Sequence, residues 1–205
     1  MVIGLILVVN QLLWQRKIIR GEAARKLAHI GIGSFIATWP LFLSYSEIQI
    51  SLLVGLAGAV IVRHWVIFPS IFDVKRRSVG DVAAPIIILL IAFLEPANTI
   101  FAVTILHVAF ADGMAALIGS RFGHKTAYNI MKQKKTLVGT MTFYVSSLMI
   151  MTAAAIFRPS IDPSEVLLYI VVIPLATTVV ENVSPRGLDN ISVPAVVIGL
   201  LLLFS

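Results

Sequence analysis

Residues 107–140 read HVAFADGMAALIGSRFGHKTAYNIMKQKKTLVGT: an apolar helix carrying one aspartate, Asp112, in a run that otherwise belongs in lipid. Small residues follow it (Gly113, Ala115, Ala116 and Gly119), and the helix then empties into a basic loop with Arg121, Lys125, Lys132, Lys134 and Lys135. Thr136 and Gly139 open the next apolar run. A helix starting near Ala97 puts Asp112 roughly 22 Å along its axis, about two turns short of the cytoplasmic end. A carboxylate at a membrane helix centre costs on the order of 2.5–3.5 kcal/mol, and less near an end. Asp112 therefore needs a partner: a metal, a lysine or water. A structural ion pair or a protonated acid would also meet that need, but intramembrane acids are functional by default.

Outward from this stretch, the composition is that of an integral membrane protein. The 205 residues are 59% hydrophobic and only 13% charged, too few charges for a soluble surface. Cysteine is absent, which excludes disulfide and thiolate chemistry. No basic stretch precedes the first apolar run, so no cleavable signal peptide is expected. The expected architecture is all-α: a single polytopic transmembrane helix bundle over residues 1–205.

Eight apolar segments stand out, at 1–14, 27–44, 47–69, 82–94, 97–119, 136–157, 164–180 and 190–205. The first and fourth are short for a span of about 20 residues, so the expectation is eight spans, or seven should one stay partly inserted. Ser46 with Gln49 fits a capping box for the third segment, and Asp162-Pro163-Ser164-Glu165 offers a cap, a first-turn proline and an acid for the seventh. The intervening loops 15–26, 70–81, 120–135 and 181–189, with Arg63 nearby, hold fifteen of the sixteen Lys and Arg residues. Only Arg158 falls on the other side. The positive-inside rule makes these loops cytoplasmic and places both termini outside. The work of the protein is then expected at the cytoplasmic face of the cell membrane, on something anionic.

Three constellations carry that chemistry. Lys135-Thr136 at a helix N-terminus, with Gly139 one turn in, is a phosphate site in the making, since free amides and dipole both favour an anion. It is not a Walker A loop, because the GxxxxGK[ST] spacing is absent. The lysines of 121–135 are otherwise ordinary for an inner loop. Glu22, Arg25, Lys26 and His29 form one helical stripe entering the second segment; interfacial anchoring explains Arg25 and Lys26 and His29 less well. Arg76 and Arg77 add cations on the third loop. Glu181 sits at a helix C-terminus, where an anion is disfavoured, and Asp189 opens the eighth segment, where capping alone would account for it. A second acid near Asp112 suits Mg²⁺ holding phosphate oxygens; Asp81 is a further candidate. His64 and His107 are expected to pack or hydrogen-bond within the bundle. The histidines lack metal-ligand spacing, so no zinc is expected, and without aromatic interleaving the basic charge does not indicate nucleic acid.

The ordered set RKLAH (25–29), ADG (111–113), RFG (121–123), KKTLVGT (134–140), EN (181–182) and DNISVP (189–194) resembles the polyprenol kinase family. That family comprises dolichol, phytol and farnesol kinases and the CTP-dependent diacylglycerol kinases, and is related to CDP-diacylglycerol synthases. The resemblance covers about 170 residues, Glu22 to Pro194. It implies a multi-span enzyme that phosphorylates a lipid alcohol from a nucleoside triphosphate, typically CTP rather than ATP, with Mg²⁺. Asp112 would sit at the metal or act as base, Lys135 would be catalytic and bind phosphate with Thr136, and Glu181 and Asp189-Asn190 match the late acidic motifs. Two positions depart from the pattern: Ala111 stands where a glycine is usual, and Val138 where an acid often precedes Gly139.

The expected function is thus a CTP-dependent kinase of an isoprenoid alcohol or diacylglycerol. Asp112, Glu181 and Asp189 would hold metal. Arg25, Lys26, His29, Arg76, Arg77, Arg121, Lys125, Lys132, Lys134, Lys135, Thr136, Gly139 and Asn190 would hold nucleotide or phosphate. Its partners would be the lipid, the nucleotide and the membrane, with a homo-oligomer compatible. A lipid-phosphate cytidylyltransferase would use the same parts and attack the α-phosphorus instead. An ion-coupled transporter would use Asp112 and Glu181 differently, but the polar residues cluster on one side and no inverted repeat is evident. A purely structural subunit leaves Asp112 unexplained.

Overall fold

A computed structural model describes residues 1–73, 80–131, 133–157, 162–185 and 187–203, without the side chains of 80–83 and 163–164. Lys75, Arg76, Arg77, Lys132, Arg158, Arg186 and the side chain of Asp81 lie outside the described residues.

Each of the eight apolar segments coincides with a helix. In chain order these are α1 (Val2–Gln15), α2 (Glu22–Ala37), α3 (Tyr45–Trp65), the short α4 (Pro69–Phe72), α5 (Gly80–Phe93), α6 (Asn98–Phe122), α7 (Leu137–Phe157), α8 and α9 (Asp189–Leu203). Helix α8 runs from Pro163–Leu167 through a π turn at Leu168–Val172 into Ile173–Val183. Among the described residues, four helices are long and apolar enough to cross a membrane: α3, α6, α7 and Glu165–Val183 of α8. Helices α1 and α9 and residues Ala84–Phe93 of α5 are apolar but shorter. The 14 residues of α1 rise only about 21 Å against a hydrocarbon core of about 30 Å.

The most apolar stretch of α3 is only 11% buried. Leu53, Val54, Val60 and Ile61 all face outward. Apolar surface on that scale fits lipid as the solvent. The corresponding stretch of α6 is 61% buried, so α6 is the axis of the bundle. It is flanked by α2 and α7, with α8 packed between α7 and α9.

Helix starts are set by local chemistry, once differently from expectation. The capping box of α3 is Ser44 with Glu47, not Ser46 with Gln49. Ser44 N donates to Glu47 Oε2 at 2.8 Å and Glu47 N donates to Ser44 Oγ at 3.4 Å. The helix already includes Ser46, and Gln49 Nε2 instead donates to the Ala92 carbonyl at 3.1 Å, tying α3 to α5. Helix α8 opens at Pro163 as read, with Asp162 N donating to Glu165 Oε2 at 3.3 Å.

The all-α expectation needs a correction. The basic stretch 120–135 is not wholly loop: β1 (Ala127–Ile130) and β2 (Gln133–Thr136) form an antiparallel hairpin. The cause is a two-residue alternation. Ile130 pairs with Gln133 and Tyr128 with Lys135 on the inward face, while Asn129 and Lys134 are exposed on the other. Lysine-rich composition masks that pattern.

The small residues around Asp112 are packing devices. A Cβ on Gly33 would lie 2.2 Å from Ala109 Cβ, and one on Gly113 would lie 2.3 Å from Ile30 Cγ1. A Cβ on Gly119 would lie 2.9 Å from Gly139 Cα. These approaches draw α2 and α7 onto α6. Gly33→Ala is therefore expected to lower the thermal midpoint of the detergent-purified protein, by overpacking of roughly 1–3 kcal/mol. Adding Ala109→Gly should restore it; an unchanged midpoint in the single variant would refute the contact.

Outside the spans, Asp73 pins the α1–α2 connection. Its carboxylate accepts from Trp14 Nε1 at 2.7 Å and Gly21 N at 3.1 Å. The indole and amide hydrogen bonds hold this carboxyl below the usual range.

Candidate active site

The π turn His107–Ala111 lies immediately before Asp112 in α6, and such turns recur at functional sites. Glu181 lies near the C-terminal end of α8, and Asp189 is the first residue of α9. The connection between the last two is tight, with Gly187 at φ +83° and Leu188 N donating to the Pro185 carbonyl at 2.9 Å. It folds α9 back on α8, so that Glu181 and Asp189 meet beside Asp112. One carboxylate oxygen from each of the three lies within 4.8 Å of the others. Asp189 Oδ1 also accepts from Asn190 N at 2.9 Å.

Two lysines neutralise this cluster. Lys26 Nζ, from α2, donates to Asp112 Oδ2. Lys135 Nζ, from β2, donates to Glu181 Oε1 at 2.6 Å and to the Glu181 carbonyl. The side chains are 11% and 15% exposed in the first pair and 13% and 10% in the second. Lys135 thereby explains an acid at a helix C-terminus. Replacing buried ion pairs with apolar side chains is often neutral or stabilising, so stability alone does not account for two of them here. The rest of the α2 stripe faces the same way. Arg25 Nη2 pairs with Glu22 Oε1 at 2.5 Å, and His29 Nε2 donates to the Val108 carbonyl of the π turn at 3.1 Å.

Sequence reasoning missed the hairpin's part in the site. Tyr128 and Lys135 are cross-strand partners, and both reach the end of α8. The Tyr128 hydroxyl donates to Asn182 Oδ1 at 2.5 Å and lies 2.6 Å from Thr140 Oγ1. Gln133 Nε2 donates to the Ser184 carbonyl at 2.6 Å. The hairpin is thus clasped over residues 181–184, next to the acids. The one available signal was the alternation of Tyr128 and Ile130 with Gln133 and Lys135. Tyr128→Phe is expected to loosen this clasp by about 1 kcal/mol, read as faster amide exchange across 127–136 with the helices unchanged. Unaltered exchange would show that the hydroxyl holds nothing.

Lys125 and Lys134 are exposed. Arg121 is exposed, its Cζ 5.5 Å from the Phe122 ring centroid. Thr136 Oγ1 accepts from Gly139 N at 3.0 Å, so the hydroxyl expected at phosphate caps its own helix. Gly139 packs against α6. His107 is fully buried, its Nε2 2.8 Å from Ser147 Oγ. His64 differs from expectation: it is exposed beside Trp65, on the outward surface of α3.

Three carboxylates converging from three helices are an all-oxygen donor set. That set suits Mg²⁺, which takes one or two carboxylates together with phosphate oxygens.

No protein-family model matches the chain, and no solved structure matches it. Among curated proteins, the chain is 29% identical over 198 residues to the phytol kinase of Synechocystis sp., a match covering 94% of this chain and 83% of that protein.

Proposed function

We infer that this chain, a member of the polyprenol kinase family, is a kinase that moves the γ-phosphoryl group of CTP onto the hydroxyl of a membrane lipid alcohol at the cytoplasmic face. The observation that carries this is the junction of Asp112, Glu181 and Asp189 beside Lys26 and Lys135, in a chain 29% identical over 198 residues to a phytol kinase. In this reading the chain has eight spans, or seven should one stay partly inserted, with the basic connections inside and both termini outside.

In this reading the alcohol oxygen attacks the γ-phosphorus, the bond from that phosphorus to the β–γ bridging oxygen breaks, and CDP leaves. The hydroxyl proton passes to an Asp112 carboxylate oxygen. Asp112, Glu181 and Asp189 would hold Mg²⁺, which would supply positive charge against that developing in transfer. Lys135 exchanges Glu181 for the arriving phosphates, and Lys26 keeps Asp112 neutralised and aimed. In phosphoryl transfer such positioning and electrostatics supply most of the catalysis.

The test uses purified protein in nanodiscs with Mg²⁺, a prenyl alcohol, and CTP or ATP in turn. Phospholipid product with CTP, abolished by chelator, supports the reading; its absence with both nucleotides contradicts it. Because the chain has no cysteine, a single cysteine at Lys125 reports the orientation. Labelling from the cytoplasmic side alone is expected, and labelling from outside overturns it.

A further inference from the structure

His107, Ser147 and Thr177 are fully buried polar side chains on α6, α7 and α8, and the reaction proposed above uses none of them. His107 Nδ1 lies 2.8 Å from the Val103 carbonyl, which can only accept, so that nitrogen carries the ring proton. The neutral ring then accepts at Nε2 from Ser147 Oγ at 2.8 Å. Thr177 Oγ1 stands 3.2 Å from Ser147 Oγ and shares its proton between that hydroxyl and the Ile173 carbonyl, 2.7 Å away. The chain thus runs from α8 through α7 to α6 with every group donating, and it ends on a backbone carbonyl. Its two ends stand close to the acids. The π turn of α6 begins at His107 and finishes directly before Asp112, and Thr177 lies one turn before Glu181 on α8. Helices α6 and α8 each pack extensively on α7 and only slightly on each other, so α7 decides where Asp112 stands relative to Glu181. Nearer the acids, Thr140 of α7 donates to Asn182 Oδ1 at 3.3 Å, tying α7 to α8 a second time.

Stability does not explain three buried polar groups here. Interhelical hydrogen bonds inside a membrane add little net stability, because the unfolded chain also finds partners there. Exchanging a whole satisfied network for apolar groups is close to neutral, whereas leaving it half satisfied is costly. What such a network supplies is a single register, since sliding or turning one helix strands a buried donor or acceptor. We propose that His107, Ser147 and Thr177 are positioning residues that lock α6 to α8 through α7 and so hold Asp112 within reach of Glu181; the inference rests on the kinase reading above. None of the three touches substrate or nucleotide. Each acts through the backbone that carries an acid.

Removing the whole network at once tests this without touching the acids or lysines. The triple variant His107→Leu, Ser147→Ala, Thr177→Val strands no buried polar group, so its thermal midpoint should stay near that of the parent. In nanodiscs with Mg²⁺, CTP and geranylgeraniol, its kcat should fall by about a hundredfold, the scale of a misplacement of about 1 Å, with KM for CTP little changed. Because the chain has no cysteine, spin labels on Ser120→Cys and Val183→Cys, exposed positions near the ends of α6 and α8, report how the two helices stand. Their distance distribution should shift or broaden in the triple variant. Thr177→Val alone should move kcat and the distribution in the same direction, and Thr177→Ser, which keeps the hydroxyl, should restore both. With an active parent, an unchanged distribution in the triple variant, a parent-like kcat, or equal losses in Thr177→Val and Thr177→Ser would overturn the proposal and leave the kinase reading standing. A parent that phosphorylates no prenyl alcohol overturns the kinase reading and takes this role with it.

Discussion

Asp112→Asn is expected to lower phosphoryl transfer by about three orders of magnitude, the scale on which a single charged group aimed at the reaction centre is felt. The substitution keeps the side chain's shape and removes its charge. It also leaves Lys26 buried without its counter-ion, and breaking such a pair destabilises by roughly 3–5 kcal/mol. Loss of activity in the single variant therefore needs a companion. Lys26→Met with Asp112→Asn removes both charges and should recover most of the thermal midpoint while staying inactive. An Asp112→Asn protein with turnover near that of the parent would remove Asp112 from the chemistry and leave the Lys26 pair as a structural clamp.

Lys135→Met is expected to raise KM for the nucleotide and to lower kcat/KM by about two orders of magnitude. Lys135 is a charged hairpin side chain that reaches the acid cluster, through Glu181, and a charge-assisted contact to phosphate is stronger than a neutral one. Lys135→Arg should recover part of the loss, since it keeps the charge on a different geometry. Tyr128→Phe serves as the comparison, because it loosens the same hairpin without removing charge. If Lys135→Met and Tyr128→Phe shift KM alike, Lys135 acts by docking the hairpin and not by binding phosphate.

The helical segments were legible because membrane burial writes long apolar runs, and each run became a helix. The capping box of α3 was misplaced by two residues because Ser44, Ser46, Glu47 and Gln49 all have capping chemistry; only the backbone path decides between them. The hairpin was hidden because its four-residue strands, QKKT among them, are too polar to stand out beside membrane helices. Asp112 and Glu181 were recognisable as acids in costly places, while Asp189 also fitted an ordinary helix cap, and 69 residues of sequence separate the first from the second. Their meeting depends on the tight α8–α9 connection and on glycine contacts that no periodicity encodes. Lys26 was expected at phosphate, with interfacial anchoring as the plainer alternative, because a ligand, an anchor and a buried counter-ion look the same until the facing helix is known. Thr136 read as a phosphate ligand for a similar reason: a hydroxyl before a helix suits an anion or its own backbone, and here it serves the backbone.

In the proposed reaction this carboxylate cluster transfers the terminal phosphoryl group of a nucleotide to a lipid hydroxyl. The most direct measurement supplies the nanodisc protein with Mg²⁺ and CTP labelled at either the γ- or the α-phosphate, together with geranylgeraniol and phosphatidic acid. The expected result is γ label in phosphorylated alcohol and no α label in lipid, with the signal lost in Asp112→Asn. Label from the α position appearing in phosphatidic acid would contradict it and make the protein a cytidylyltransferase built from the same residues.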